Sequence, residues 1–214
     1  MDLVVDRYEL GPIGTNCYVV RAGRGAAECI VIDPGADAST LRLELARMGA
    51  SCAAILVTHT HWDHIGAVAD LAEGTGAPVH VSETEAPVLE RLDDVYAAVG
   101  IHVRGHDPEV RLRGDETLEL AGIELETIQV PGHSPGHLAF HADGSLFSGD
   151  VLFAGGVGRV DLPGGDWQTL LASIRRLADR FPAETAVYSG HGPPTTLGDE
   201  LARNPFLLEL RAAP

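Results

Sequence analysis

The sequence predicts an α/β fold, and two observations carry that reading. Short β-branched and apolar runs alternate with segments whose apolar residues recur at helical spacing. Both halves of the chain also run strands, then a loop rich in His or Asp, then a helix. One domain over residues 1–214 is expected, and a hydrophobic content of 45% supports a sizeable core.

In order, Leu3 to Leu10, Cys17 to Arg21 and Cys29 to Ile32 read as strands. Asp33-Pro34-Gly35 is a turn signal. Ser39 is the expected N-cap of a helix running to about Met48, which Gly49 ends. Ala53 to Val57 reads as a buried strand. Ile65, Val68 and Leu71 share helical spacing and predict a helix from Ile65 to about Glu73. Val79 to Val81 is a short strand, and Thr84 to Leu92 is helical apart from Pro87. Asp93 to Pro108 reads as a surface helix and loop, or as a wall or lid over a site. Thr117 to Leu120, Ile123 to Val130, Leu138 to His141 and Ser145 to Ser148 are strands. A helix is expected from Asp166 to about Arg180, then a last core strand at Ala186 to Ser189. Leu197 to Arg203 and Pro205 to Leu210 predict short helices.

The most informative segment is Thr58-His59-Thr60-His61-Trp62-Asp63-His64, directly after the predicted strand Ala53 to Val57. It packs three imidazoles and a carboxylate onto a loop leaving a strand end, the edge where α/β folds build sites. These ligand types suit zinc, iron and manganese at catalytic positions. His59 and His61 can point to one side of an extended loop, whereas the adjacent Asp63 and His64 must diverge and suit a second ion. Further ligands are needed. Pro131-Gly132-His133-Ser134-Pro135-Gly136-His137, Phe147-Ser148-Gly149-Asp150 and Ser189-Gly190-His191-Gly192 each present His or Asp beside glycine, just past a predicted strand. Burying this much polar functionality without a metal would leave many groups unsatisfied. His80, His102, His106 and His141 read instead as ordinary core or surface residues. His137 either orients a ligand from behind or is a strand residue.

From Gly14-Thr15-Asn16-Cys17-Tyr18 to His191, this arrangement resembles the metallo-β-lactamase superfamily, through H-x-H-x-D-H followed in order by His, Asp and His. The resemblance implies a four-layer αβ/βα sandwich, with two facing mixed β-sheets, helices on the outer faces and metals at one edge. It implies that His59, His61 and His133 hold one ion, that Asp63, His64 and His191 hold the other, and that Asp150 bridges them. Asp63 and His64 are also the candidate catalytic residues. The implied cofactors are two divalent ions, with zinc placed first and iron or manganese as alternatives.

Within that superfamily, Gly158-Arg159-Val160-Asp161-Leu162-Pro163-Gly164-Gly165-Asp166 and Asn204-Pro205-Phe206-Leu207 are similar to segments of the small glyoxalase-II-like (hydroxyacylglutathione hydrolase-like) thioester hydrolases. Arg159 is the candidate substrate-binding residue. It either steers a substrate carboxylate toward the metals or braces the loop by pairing with Asp161. Full-length glyoxalase II carries a further helical domain that contacts glutathione, whereas only a short segment follows His191 here. A different thiol carrier or a smaller acyl thioester is therefore an alternative to S-lactoylglutathione.

The chemistry agrees. Metal binding can lower the pKa of water from about 15.7 to about 7, which makes hydroxide available at neutral pH. No Ser or Cys nucleophile is needed for that chemistry. A thiolate whose conjugate acid has a pKa near 8.5 leaves without an acid catalyst, whereas an amide nitrogen must be protonated. Thioester hydrolysis is the easier assignment. The competing reading is a persulfide dioxygenase with mononuclear iron held by two His and one Asp, which shares the scaffold and a G-R-x-D motif. A non-catalytic metal-binding module is the third.

The formal net charge is -16, and all 15 cationic residues are Arg. This balance argues against nucleic acid and anionic membrane surfaces as partners. Cys17, Cys29 and Cys52 form no C-x-x-C pair, and Cys17 and Cys29 read as small core residues, consistent with a reducing compartment. The N-terminus lacks a basic region followed by a long apolar stretch, and no apolar run is long enough to span a bilayer. The expected location is cytoplasmic, and the expected partner is a small-molecule thioester. Oligomeric state is left open.

Overall fold

Strand alternation splits continuous apolar runs between two sides of each sheet, and that split builds the layers. The computed structural model describes residues 3–92, 96 and 100–208. The first sheet holds β1 (Val4–Leu10), β2 (Thr15–Arg21), β3 (Glu28–Ile32), β4 (Ser51–Leu56), β5 (Val79–Ser82) and β6 (Val110–Leu112), in sequence order. β1, β2 and β3 pair antiparallel, and β3 through β6 pair parallel. The second sheet runs β14-β13-β10-β9-β8-β7, with β7 at Thr117–Leu120, β8 at Ile123–Gln129 and β9 at Leu138–Ala142. Its remaining strands are β10 (Ser145–Gly149), β13 (Ala186–Ser189) and β14 (Thr195–Thr196), and its one parallel pair is β10 with β13. β11 (Leu152–Phe153) and β12 (Gly156–Val157) form a small separate hairpin.

Every residue of β2 is buried. Cys17 and Val19 face outward onto Leu41 and Leu45 of α1 (Ala38–Met48), Leu71 of α3 (Val68–Thr75) and Leu89 of α4 (Ala86–Glu90). Tyr18 and Val20 face inward, into a layer shared with Phe140 and Phe147 of the second sheet. On the far side of that sheet, Ala139, Leu146 and Val187 pack against Leu170, Ile174 and Leu177 of α5 (Trp167–Arg180). The order is helices, sheet, sheet, helix, the four-layer sandwich expected. Strands buried on both faces are near-continuously apolar for this reason. Each such side chain contributes about 1.5–3 kcal/mol when fully buried.

Several local expectations are corrected. The helix read from Ile65 to Glu73 is two helices, α2 (Trp62–Ile65) and α3, separated at Gly66 and Ala67. At the break the Ala67 N–H donates to the Pro34 carbonyl at 2.9 Å instead of continuing the helix, and the turn comes so close that a Cβ on Gly66 would lie 2.3 Å from the Gly35 carbonyl oxygen. α1 is capped by Asp37 in a left-handed conformation, and Ser39 lies inside the helix. β6, β11, β12 and β14 were not expected; each has only two or three residues, too few to show a period. By contrast, α5 starts at the expected Asp166, whose carboxylate accepts from the Thr169 N–H at 2.8 Å. α6 (Leu197–Arg203) is followed by a 3-10 turn at Pro205–Leu207, and the helix expected from Pro205 to Leu210 falls partly on residues 209 and 210, which lie outside the described residues. The wall or lid expected over Asp93 to Pro108 falls partly on residues 93–95 and 97–99, which lie outside the described residues. All three cysteines are buried free thiols. Among the described residues, no helix is long and apolar enough to cross a membrane.

Candidate metal centre

The loops that follow β4, β8, β10 and β13 meet at one edge of the two sheets, and six of the seven expected ligands fall into two groups there. In the first, His59 Nε2 lies 3.0 Å from His61 Nδ1, and His133 Nε2 lies 3.2 and 2.8 Å from those two nitrogens. Imidazoles bound tetrahedrally at 2.0–2.1 Å would place their nitrogens about 3.3 Å apart. Their other ring nitrogens fix the tautomers. His133 Nδ1 donates to the Arg159 carbonyl at 2.7 Å. His59 Nδ1 donates to Thr58 Oγ1 at 3.0 Å, and that hydroxyl donates on to Asp33 Oδ2 at 2.7 Å. Lone pairs of His59 and His133 therefore point at each other and at His61. Burial holds His59 well below the ordinary imidazole range, lowers His61 to about 4 and lowers His133, so the three rings are neutral. Converging lone pairs repel unless a cation sits between them.

In the second group, Asp63 Oδ2 lies 3.4 Å from His64 Nε2 and 3.3 Å from His191 Nε2. Asp150 joins the groups. Its Oδ1 is 3.2 Å from His64 Nε2, and its Oδ2 is 3.5 Å from His191 Nε2 and 3.6 Å from His133 Nε2. His64 Nε2 and Asp150 Oδ1 are buried and have no hydrogen-bond partner. Such orphaned atoms in a native interior call for an ion or water, and a divalent cation between them would satisfy both. The donor set therefore fits two metal ions. Gly190 makes room for this convergence, because a Cβ there would lie 2.1 Å from Asp150 Oδ1 and 2.5 Å from His64 Cε1.

The carboxylates pull the second group's protons the other way. Asp150 and Asp63 raise His191 to about 9. Burial opposes a charge on His64, but Asp150 and Asp33 outweigh it and raise that ring well above the ordinary range. Burial also opposes charge on Asp150 and Asp63, yet the histidines around them hold both carboxyls low.

Residues outside the expected ligand set support it, and of these Asp33 had no sequence signal beyond its place in a turn. Asp33, just past β3, accepts from the Thr58 N–H and hydroxyl and from His64 Nδ1, at 2.7–2.8 Å. Thr15 Oγ1 donates to Asp63 Oδ2 at 2.7 Å. Asn16 Nδ2 donates to the carbonyls of Ser189 and Gly192, and the Tyr18 hydroxyl donates to Ser189, so β2 grips the loop carrying His191. His137 lies behind the site, stacked on His59 at 4.6 Å, and its Nε2 accepts the Asp150 N–H at 3.1 Å. The Arg159 guanidinium is exposed and pairs with Asp161 through two 2.7 Å bonds, while its carbonyl orients His133. His141 stacks on Phe181, His80 is buried in β5 and His106 lies near Glu109, all apart from the cluster.

The Metallo-beta-lactamase superfamily profile matches residues 10–191. The chain is 37% identical over 205 residues to Probable metallo-hydrolase YqgX of Bacillus subtilis (strain 168), covering 94% of this chain and 96% of that one. It is 36% identical over 182 residues to Hydroxyacylglutathione hydrolase GloC of Haemophilus influenzae, covering 83% and 86%. The crystal structure of BLEG-1 B3 metallo-beta-lactamase aligns with a TM-score of 0.89 at 38% identity, covering 96% of this chain and 100% of that one. TTHA1623 in a di-iron-bound form aligns with a TM-score of 0.85 at 42% identity, covering 95% and 100%. With its ligand-bearing loops gathered at one sheet edge and its sequence matched across most of its length, this chain belongs to the metallo-β-lactamase superfamily and is a metallohydrolase of that group.

Proposed function

We propose that this enzyme hydrolyses a thioester, S-lactoylglutathione or a related acyl thiol, with two divalent ions held by His59, His61 and His133 and by Asp63, His64 and His191. Asp150 lies between the groups as the shared ligand. The observation that carries the two-ion reading is Asp150 within 3.6 Å of ring nitrogens of both groups, with its Oδ1 buried and unpartnered. When bound, the ions supply Lewis acidity toward the acyl carbonyl and a water of lowered pKa.

The protein's own contribution is orientation. Asp33 and the Arg159 carbonyl fix which nitrogens of His64 and His133 face the ions. Thr15 turns Asp63 toward His64 and His191, which supports Asp63 and His64 as the catalytic pair closest to the chemistry. His137 holds Asp150 by its backbone. Arg159, anchored beside His133, would meet a substrate carboxylate at the rim, in exchange for part of its pairing with Asp161. A thiolate leaves without protonation, which favours a thioester over a lactam amide, and the relative named hydroxyacylglutathione hydrolase supports the same choice. Zinc is placed first; the di-iron neighbour makes iron the leading alternative, followed by manganese. The acidic surface favours a small-molecule partner over nucleic acid, in the cytoplasm, with residues 1–214 acting as one domain.

The test is elemental analysis of the purified protein, combined with assays on S-lactoylglutathione, a β-lactam and glutathione persulfide. Two ions per chain with thioester turnover and no oxygen uptake are expected. One iron per chain with oxygen consumption on the persulfide would replace this reading with a dioxygenase. Turnover of the lactam alone would move the assignment to a lactamase.

A further inference from the structure

Both loops of the three-histidine group pass a single buried carboxylate that belongs to neither. Glu85 follows β5 and is 4% exposed. Its Oε2 accepts from the Thr60 N–H at 3.3 Å and also from the Thr60 hydroxyl in a short bond. Its Oε1 accepts from Ser134 Oγ at 2.8 Å and from the Gly136 N–H at 2.9 Å. Thr60 stands between His59 and His61, and Ser134 follows His133. The Tyr96 hydroxyl donates to the Thr60 carbonyl at 3.0 Å, so every polar group of Thr60 is engaged. Close approach is built in, because a Cβ on Gly136 would lie 2.8 Å from Glu85 Cγ and 2.7 Å from Thr84 Cβ.

We propose that Glu85 is a positioning residue: its carboxylate clamps the His59–His61 loop to the His133 loop and sets the spacing of the three-histidine half of the centre. The inference rests on the metal-centre reading above. A carboxylate is the side chain that suits four donors, because it accepts at both oxygens and donates at neither. A glutamine of the same shape would turn an NH2 group toward two of those donors, losing their bonds and leaving buried groups unpaired. The other half of the centre is held independently of Glu85, by Thr15 on Asp63 and by Asp33 on His64.

The experiment is calorimetric titration of zinc into metal-stripped wild type, Glu85→Gln, Thr15→Val and the double variant. Wild type is expected to show two sites. Glu85→Gln should weaken one of them by about 10–100-fold and leave the other within about 2-fold, the range outer-layer partners command. Thr15→Val should weaken the other site, and the double variant both. Unchanged zinc affinities in Glu85→Gln, with Tm lowered equally with and without zinc, would reduce Glu85 to a packing role and overturn the clamp. So would Glu85→Gln and Thr15→Val weakening the same site. If Glu85→Gln fails to fold, Ser134→Ala carries the same test with the carboxylate in place: a weakened single site supports the clamp, and two unchanged sites overturn it. Wild type that takes up no zinc would overturn the metal centre and the clamp together, a result distinct from failure of the variants alone.

Discussion

The group His59–His61–His133 and the group Asp63–His64–His191 sit side by side with Asp150 between them, yet their surroundings push their protons in opposite directions. In the first, burial and neighbouring rings keep every imidazole neutral, with His61 lowered to about 4. In the second, Asp63 and Asp150 favour imidazolium and raise His191 to about 9. One half presents bare lone pairs at neutral pH. The other half holds charge against charge, and a proton must leave before an imidazole can ligate. The same edge of the fold thus carries one half preset for a cation and one half gated by protons.

The largest break in this comparison is expected from His61→Ala, which removes a donor from the neutral half. Hydrolysis should fall by more than about 100-fold, beyond the range of outer-layer changes, while circular dichroism stays that of the folded protein. Unchanged turnover would remove the enzyme reading altogether. Next in size is Asp33→Asn. Asp33 supports both halves, through Thr58 to His59 and directly to His64. Zinc affinity should therefore fall about 10–100-fold at both sites, in contrast to the one-sided effect of Thr15→Val.

A titration series in pH sharpens the comparison. Below about 9, zinc uptake at the Asp63–His64–His191 half displaces a proton from His191, so its affinity should rise with pH by about 10-fold per unit for each proton released. The three-histidine half is already deprotonated near neutrality, and its affinity should be flat above the ordinary imidazole pKa of about 6.5. Isothermal titration in buffers of different ionisation enthalpy reads the proton count at each site. Proton release at the three-histidine half would contradict the assignment. The smallest expected effect is Arg159→Ala. The guanidinium is exposed, and solvent screens its pair with Asp161, so the pair contributes little to stability. Tm and metal content should hold while KM for an anionic thioester rises a few-fold.

How much of this was readable before folding follows the same division. The candidate ligands were legible because they cluster in seven residues or stand beside glycine at strand ends, whereas the layers came only from the family resemblance, because a strand buried on both faces, such as β2, reads as a nearly continuous apolar run. Asp33 and Glu85 were not, since a single acidic residue beyond a strand has no spacing to distinguish it from a surface charge. Their roles exist only when β3, β4, β5 and the 131–137 loop are brought together. The break between α2 and α3 was hidden for a related reason: the apolar spacing of Ile65, Val68 and Leu71 is helical throughout, and at the interruption the Ala67 N–H bonds to the Pro34 carbonyl, a contact between distant positions. The sequence of the 131–137 loop is compatible with two roles for His137, and its bond to the Asp150 N–H fits the supporting one.

The most direct measurement is anomalous diffraction from crystals of the zinc-loaded protein, collected on either side of the zinc absorption edge. Two peaks are expected, one among the nitrogens of His59, His61 and His133 and one among Asp63, His64 and His191, with an Asp150 oxygen reaching each. No peak at this edge of the sheets, or a lone ion bound away from these seven side chains, would contradict the account.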